Sequence, residues 1–265
     1  MQGMEENRLF FGFSVDAPWP ITYPKGRIIE EGARHLTLAF LGNYPFEKLE
    51  KELSHFPKPD FPIGPVGVCD KLLFLPELKP RVVSNHVHWL VDGEKISTYH
   101  KKVLDWLENL GYPIDRRPFL SHITLARAPF IEKEWEEAFE KLPVLITGIH
   151  LYESIGNLRY PSIWNLPLLL PFEEFEHTAD IAFHVHGQTF RELYLHGALA
   201  MSFKFPHFLT YLKDREMEDL NQVIQSLNEM ISLCDQEIGC PFKAVSYHGK
   251  LATENLLRWE MVVDV

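Results

Sequence analysis

Apolar and polar residues alternate with a period of two along much of the first 170 positions, and helical spacing breaks in at three places. Residues 8–15 (RLFFGFSV) are apolar and aromatic and predict a buried strand. Residues 32–42 (GARHLTLAFLG) predict a second strand. Leu49, Leu53 and Phe56 recur at helical spacing and predict a short amphipathic helix over 48–56. Residues 57–67 are rich in proline and glycine and predict loop or edge, with strands over 70–75 and 86–91. Ile96, Tyr99, Val103, Leu107 and Leu110 then mark a helix that Gly111 stops. Residues 121–126 predict a strand, 132–142 a helix and 148–153 a closing strand.

Past a predicted linker at 166–171, the pattern restarts. Residues 172–187 (FEEFEHTADIAFHVHG) predict a strand broken by a turn near 177–180. Thr189 with Glu192 three positions on is a capping-box pattern, followed by Phe190, Leu193, Gly197 and Met201 at helical spacing. Residues 217–234 predict a second helix, with Leu220, Val223, Ile224, Leu227, Met230 and Ile231 on one face. Residues 243–248 (KAVSYH) and 259–265 (WEMVVDV) predict closing strands. The chain therefore divides into 1–168 and 169–265.

Strand parity gives one repeated segment chemical content. Successive strand side chains point to opposite faces. In His35-Leu36-Thr37-Leu38 this sets His35 and Thr37 opposite to Leu36 and Leu38. His122-Ile123-Thr124-Leu125, 87 residues later, splits the same way. Each copy can bury its apolar side and present a histidine and a hydroxyl to a cleft. A motif strand in each half of 1–168 predicts two similar lobes facing each other, and such a cleft is a common small-molecule site.

Composition narrows the class. A length of 265 residues suits two domains, and 46% hydrophobic with 24% charged residues suits a globular chain. The apolar run at 166–170 is too short to span a bilayer, and the polar, acidic residues 1–8 lack a signal peptide's pattern. Three cysteines (Cys69, Cys234, Cys240) form no disulfide framework, so the expected compartment is a reducing cytoplasm without membrane attachment. The net charge of -11 is uneven: residues 1–170 hold 19 Lys/Arg and 22 Asp/Glu, residues 171–265 hold 7 and 15. The acidic second part argues against a nucleic-acid surface there and suits a hard cation or a basic protein partner.

Paired histidines with adjacent hydroxyls suit phosphodiester chemistry without a metal. Histidine titrates near 6.5, so one ring can serve as base and another as acid at neutral pH. Threonine hydroxyls can hydrogen-bond non-bridging phosphate oxygens as charge builds. His86 and His88 share a strand face but lack a neighbouring ligand set, so they read as a structural or solvated face. Arg116 and Arg117 could guide RNA, although a lone dibasic pair is more often solvated surface.

The segments RLFFGFSV, HLTLAFLG, SHITLARAP and LYES resemble those of two-histidine phosphoesterases, in the branch of RNA 2′,3′-cyclic phosphodiesterases long named 2′-5′ RNA ligases. The resemblance runs from about residue 8 to 168. It implies an α+β, bilobal fold of two antiparallel sheets with outer helices and a cleft between them. It also implies hydrolysis of a 2′,3′-cyclic phosphate to a 2′-phosphate without a cofactor. Carried over, His35 is the general acid, His122 the general base, and Thr37 and Thr124 hold phosphate. Arg127 matches an arginine that contacts substrate, although strand parity from His122 sets it on the opposite face unless the strand breaks near Ala126.

EHTADI, TFRELYLHGALAM, VIQSLNEM, KAVSYHG and the terminal VVDV resemble archease, in that order. This implies a small α/β sandwich with an acidic divalent-cation site (Ca, Mg or Zn) and a role in promoting guanylylation of an RNA-splicing ligase. Asp180 and Asp264 match the metal-binding acids, and Lys243 and His248 match other marked positions. Only nine residues, 235–243, join the second helix to KAVSYH, so the domain is shortened relative to the family. Three functions follow from these expectations. The first is a phosphodiesterase acting on RNA 2′,3′-cyclic phosphate ends, tRNA among them. The second is an accessory protein that reads RNA ends for a ligase. The third is a phosphodiesterase for small cyclic nucleotides or 2′-5′ oligonucleotides.

Overall fold

The structure is a computed structural model that describes residues 7–178, 180–246, 251–253 and 256–265. The first unit contains β1 (Asn7–Asp16), β2 (Arg27–Ile28), β3 (His35–Tyr44), α1 (Phe46–Glu50), β4 (Val66–Leu75), β5 (Val82–Trp89), α2 (Gly93–Asn109), β6 (His122–Arg127), α3 (Glu132–Glu137), β7 (Leu142–Glu153) and β8 (Ser162–Pro167). The second contains β9 (Phe172–Phe175), β10 (Ile181–Gly187), α4 (Phe190–Lys204), α5 (Leu220–Ile238), β11 (Ala244–Ser246), β12 (Leu251–Thr253) and β13 (Leu257–Asp264). Both sheets pair antiparallel and carry helices, an α+β arrangement. Among the described residues no helix is long and apolar enough to cross a membrane.

The two lobes expected from the sequence are two halves of one hydrogen-bonded sheet. Its order is β1-β3-β6-β5-β4-β7-β8, with β2 on β6, and β1 also pairs with β7, which closes it on itself. The halves meet along two seams of unequal strength. Between β4 and β7 four residue pairs run from Val66–Leu145 to Cys69–Leu142. Between β3 and β6 one pair among the described residues, Leu36–Ile123, joins the motif strands. The weak seam lets the strands diverge and opens a cleft beside the histidines.

The helix α2 anchors this arrangement. Its apolar positions Ile96, Tyr99, Val103, Leu104 and Leu107 are buried in one core with Leu9, Phe11, Phe13, Leu36 and Ile123. At roughly 1.5–3 kcal/mol for each large side chain removed from water, that face stabilises both motif strands from behind. It ends before Gly111, whose φ of 86° suits glycine.

Several boundaries differ from the sequence reading. The helix expected over 132–142 stops at Glu137, because Leu142 to Leu145 pair with β4 and bury an unbroken apolar run that fits a two-sided strand as well as a helix. The strand expected at 148–153 therefore begins at Leu142. Residues 166–171 are not a free linker: Leu166 and Pro167 belong to β8, and the Leu169 carbonyl accepts from Gly64 N at 2.8 Å.

In the second unit β9 and β10 form the hairpin predicted by the break near 177–180, and the sheet order is β11-β13-β10-β9 with β12 on β13. Ile181, Phe183 and Val185 of β10 and Trp259, Met261 and Val263 of β13 face the helices. Thr189 caps α4, its Oγ1 accepting from Glu192 N at 3.1 Å, while the Glu192 carboxylate accepts from Gln188 N at 2.7 Å. Residues 193–202 of α4 are all buried, because the helix lies between its own sheet, α5 and the first unit's Val66, Val91 and Leu145.

Candidate functional site

The two motif strands repeat each other beyond the four residues that define them. His35-Leu-Thr-Leu-Ala-Phe40 and His122-Ile-Thr-Leu-Ala-Arg127 share one burial pattern, with two adjacent buried residues, Leu38–Ala39 and Leu125–Ala126, where alternation would bury only one. The pairing registers explain it. Against β1, Ala39 pairs with Phe11 and Thr37 with Gly12, leaving Leu38 unpaired. Against β5, Ala126 pairs with Val83 and Thr124 with Ser84, leaving Leu125 unpaired. Each strand thus bulges one residue after its threonine, and a bulge shifts parity by one. Phe40 and Arg127 therefore return to the face of their histidines. The strand does break beside Ala126, and Arg127 lines the cleft.

Both histidines are held in the same way. His35 Nδ1 donates to the Ala33 carbonyl at 2.8 Å, and His122 Nδ1 donates to the Leu120 carbonyl at 2.8 Å. A carbonyl can only accept, so the proton of each neutral ring sits on Nδ1 and Nε2 is left for chemistry. Thr37 and Thr124 line the cleft with them, and Ser84 Oγ donates to Thr124 Oγ1 at 3.4 Å.

The cleft has a volume of about 610 Å³. Among the described residues its walls hold three arginines, Arg8, Arg27 and Arg127, and no aspartate or glutamate. In a chain of net charge -11 that is a selected concentration of positive charge. Arg27 and Arg127 are cross-strand partners on β2 and β6. The His35 ring packs 4.7 Å from Phe10, 5.2 Å from Tyr152 and, edge-on, 5.1 Å from Tyr160. Burial among these rings pushes the His35 pKa down to about 4; the Ala33 carbonyl opposes the shift, and the charges of His122 and Arg127 add to it. Phe40 is 65% exposed and stands at the cleft wall as an open aromatic face.

Arg8, Arg27, Phe40 and Tyr160 are site residues that the sequence reading missed. Phe40 carried a usable signal, since it occupies in the first motif the place that Arg127 occupies in the second. Arg27 and Tyr160 carried none, because they come from a two-residue strand and a loop.

Other residues singled out by sequence take different places. His86 is the cross-strand partner of His122, and its Nδ1 is bonded to Asp70 Oδ1 at 2.6 Å. Arg116 is paired with Asp105 and Glu108, and Arg117 with Asp115, so both cations are met by nearby acids on the surface. In the second unit Asp180 and Asp264 do come together, in a pocket of about 310 Å³ shared with His177, Ser246 and Glu260. His177 Nδ1 lies 3.6 Å from Asp180 Oδ2. Among the described residues no group of three or more His, Cys, Asp or Glu side chains is arranged to hold a metal ion. The carboxylates and the serine hydroxyl of this pocket are oxygen donors of the kind a hard cation takes. Lys243 Nζ donates to the Val265 carbonyl oxygen at 2.5 Å. His248 lies outside the described residues.

No protein-family model matches the chain, and no curated protein does. Solved structures do. A structure described as a phosphoesterase is 25% identical, with a TM-score of 0.45, covering 62% of this chain and 99% of its own. E. coli LigT complexed with 3′-AMP is 26% identical, with a TM-score of 0.43 and the same coverage. TT0787 of Thermus thermophilus is 22% identical, with a TM-score of 0.37, covering 61% of this chain and 97% of its own. These likenesses cover about three-fifths of this chain.

Proposed function

We propose that the cleft of the first unit hydrolyses a cyclic phosphodiester, the 2′,3′-cyclic phosphate at an RNA end, to a 2′-phosphate. The observation that carries this reading is the matched pair of histidines, each pinned through Nδ1, in a cleft whose described walls hold three arginines and no acids. His122 Nε2 takes a proton from water, whose oxygen attacks phosphorus. The bond from phosphorus to the 3′-oxygen breaks, and His35 Nε2 protonates that oxygen as it leaves. Thr37, Thr124 and Arg127 meet the non-bridging oxygens. The exposed Phe40 ring offers a base a stacking platform.

The protonation of His35 has a condition attached. With its pKa near 4 in the empty cleft, the ring is neutral at pH 7, whereas a general acid must be charged. A bound phosphodiester anion beside His35 favours the charged ring and raises that pKa, so substrate arms its own acid. The test is turnover of a short RNA ending in a 2′,3′-cyclic phosphate, in chelator, by the wild type and by His35→Ala and His122→Ala proteins. Tight binding without turnover by the wild type overturns the reading in favour of an RNA-end reader. Faster turnover of nucleoside cyclic phosphates or 2′-5′ oligonucleotides moves the substrate class instead.

A second role rests on the shared pocket of Asp180 and Asp264. There we infer a site for a hard divalent cation and, through it, an accessory role toward an RNA-splicing ligase. A splicing-type cut leaves the cyclic phosphate ends that the first unit would hydrolyse and that such a ligase would join.

A further inference from the structure

Arg34 immediately precedes His35, yet its side chain leaves the cleft. It is 5% exposed, and its guanidinium lies between two aromatic faces, 4.6 Å from the Trp19 ring and 5.0 Å from the Tyr23 ring. Among the described residues no carboxylate forms an ion pair with it. A buried cation that meets ring faces and the field of Glu31 rather than a paired carboxylate is costly unless its geometry does something. Its Nε donates to the Ile29 carbonyl at 3.2 Å, five residues back.

That bond closes the segment connecting the two motif strands. At one end Ile29 N donates to the Leu125 carbonyl at 2.8 Å, continuing the pairing of β2 with β6 just past Thr124. At the other end the segment turns, with Ala33 N bonded to the Glu30 carbonyl at 2.9 Å and Arg34 N to the Glu31 carbonyl at 3.0 Å, and enters β3 at His35. The carbonyl that holds His35 Nδ1 belongs to Ala33, inside this segment. Among the described residues the one direct pair between β3 and β6 is Leu36–Ile123, so the segment from 29 to 34 is the second tie across the weak seam.

We propose that Arg34 is a positioning residue of the two-histidine site: it latches the segment between the motif strands and so aims His35 Nε2 into the cleft. That His35 reacts rests on the reading above; that Arg34 aims it does not. The charge acts at a distance through backbone geometry, since the guanidinium touches neither the cleft nor the ring of His35.

The experiment compares wild type, Arg34→Met and Arg34→Lys by nitrogen-15 NMR of the His35 ring at neutral pH and by steady-state hydrolysis of a cyclic-phosphate RNA. The expected wild-type ring is a single Nδ1–H tautomer. In both variants it becomes a mixture of tautomers, and kcat falls about 10- to 100-fold, the range for a reacting group displaced by about an ångström. KM changes little, because the arginines of the cleft remain. A wild-type tautomer and wild-type kcat in either folded variant overturn the proposal. Failure of both variants to reach native near-UV circular dichroism overturns it too, since Arg34 is then a residue of the core. If the wild type turns over no cyclic phosphate, the proposed function fails and the NMR comparison still decides the latch.

Discussion

Leu36 and Ile123 face each other as the single residue pair that, among the described residues, joins the two motif strands. Carried one step in each direction, this antiparallel register sets His35 against Thr124 and Thr37 against His122. Each histidine is thereby matched to the threonine of the other strand, and a phosphate between them would meet an Nε2 and a hydroxyl from each side. The pair also keeps the apolar faces of both strands in one core with α2, which fixes the histidines on the far side.

Removal of either ring is expected to abolish the paired chemistry. His35→Ala and His122→Ala should each lower kcat by roughly 10²–10⁴-fold, the usual contribution of a positioned acid or base. Because the two act in one step, the double variant should be little worse than either single one. Rates for all three on one cyclic-phosphate RNA check this.

Phe40 and Arg127 occupy equivalent places in the two strands and should separate base from phosphate recognition. Phe40→Ala should raise KM for RNA by the loss of about 1–3 kcal/mol of stacking, and Phe40→Trp should restore it. Arg127→Ala should weaken substrates and inorganic phosphate alike. Dissociation constants for phosphate and for a 2′-nucleotide distinguish the two.

The pKa of His35 should respond to occupancy. Burial is the first cause of its depression and the charges of His122 and Arg127 contribute, so Arg127→Ala or a bound phosphodiester analogue should move it upward from about 4. An NMR titration of the ring with and without analogue measures the shift. No upward movement on binding would leave His35 neutral and suited to act as base, reversing the roles of the two rings.

Stability should fall in acid because of a histidine far from the cleft. His196 in α4 is 1% exposed, its Nδ1 donates to the His186 carbonyl at 2.6 Å, and burial pushes its pKa down to about 4. The unfolded chain takes up this proton near 6.5 and the folded chain only near 4. Between those values the unfolded state binds more protons, so stability rises with pH across the window and is lost as pH falls through it. The span corresponds to about 3 kcal/mol, and His35 contributes with the same sign. Urea unfolding at about pH 4.5 and pH 7 should show this slope, and His196→Leu should flatten it.

Much of this was legible in the sequence, and the reasons for the remainder are physical. The motif strands announced themselves through the alternation of their first four residues, and α2 and α5 through helical periodicity. Arg127 was obscured because a bulge cannot be read from alternation, although the Leu-Ala step common to both motifs marks where each occurs. The sequence reading carries the helix to Leu142 and leaves 143–147 outside any element, because an apolar stretch buried on both sides has no period to read. Arg34 carries no signal in the sequence, and only the fold shows it between Trp19 and Tyr23.

The proposed cation site at Asp180 and Asp264 makes its own prediction. Calcium or magnesium at about a hundredfold excess over its dissociation constant should stabilise the protein by about 2.7 kcal/mol. Asp180→Asn and Asp264→Asn should each remove that gain, as read by the thermal midpoint with and without the ion.

Cyclic-phosphate hydrolysis by the two histidines can be followed at the phosphorus itself, by phosphorus-31 NMR of a short RNA ending in a 2′,3′-cyclic phosphate. The RNA is incubated with the wild-type protein in excess chelator. The cyclic resonance should give way to that of a 2′-monophosphate. An unchanged cyclic phosphate, a 3′-monophosphate product or turnover that needs an added metal would contradict the proposed chemistry.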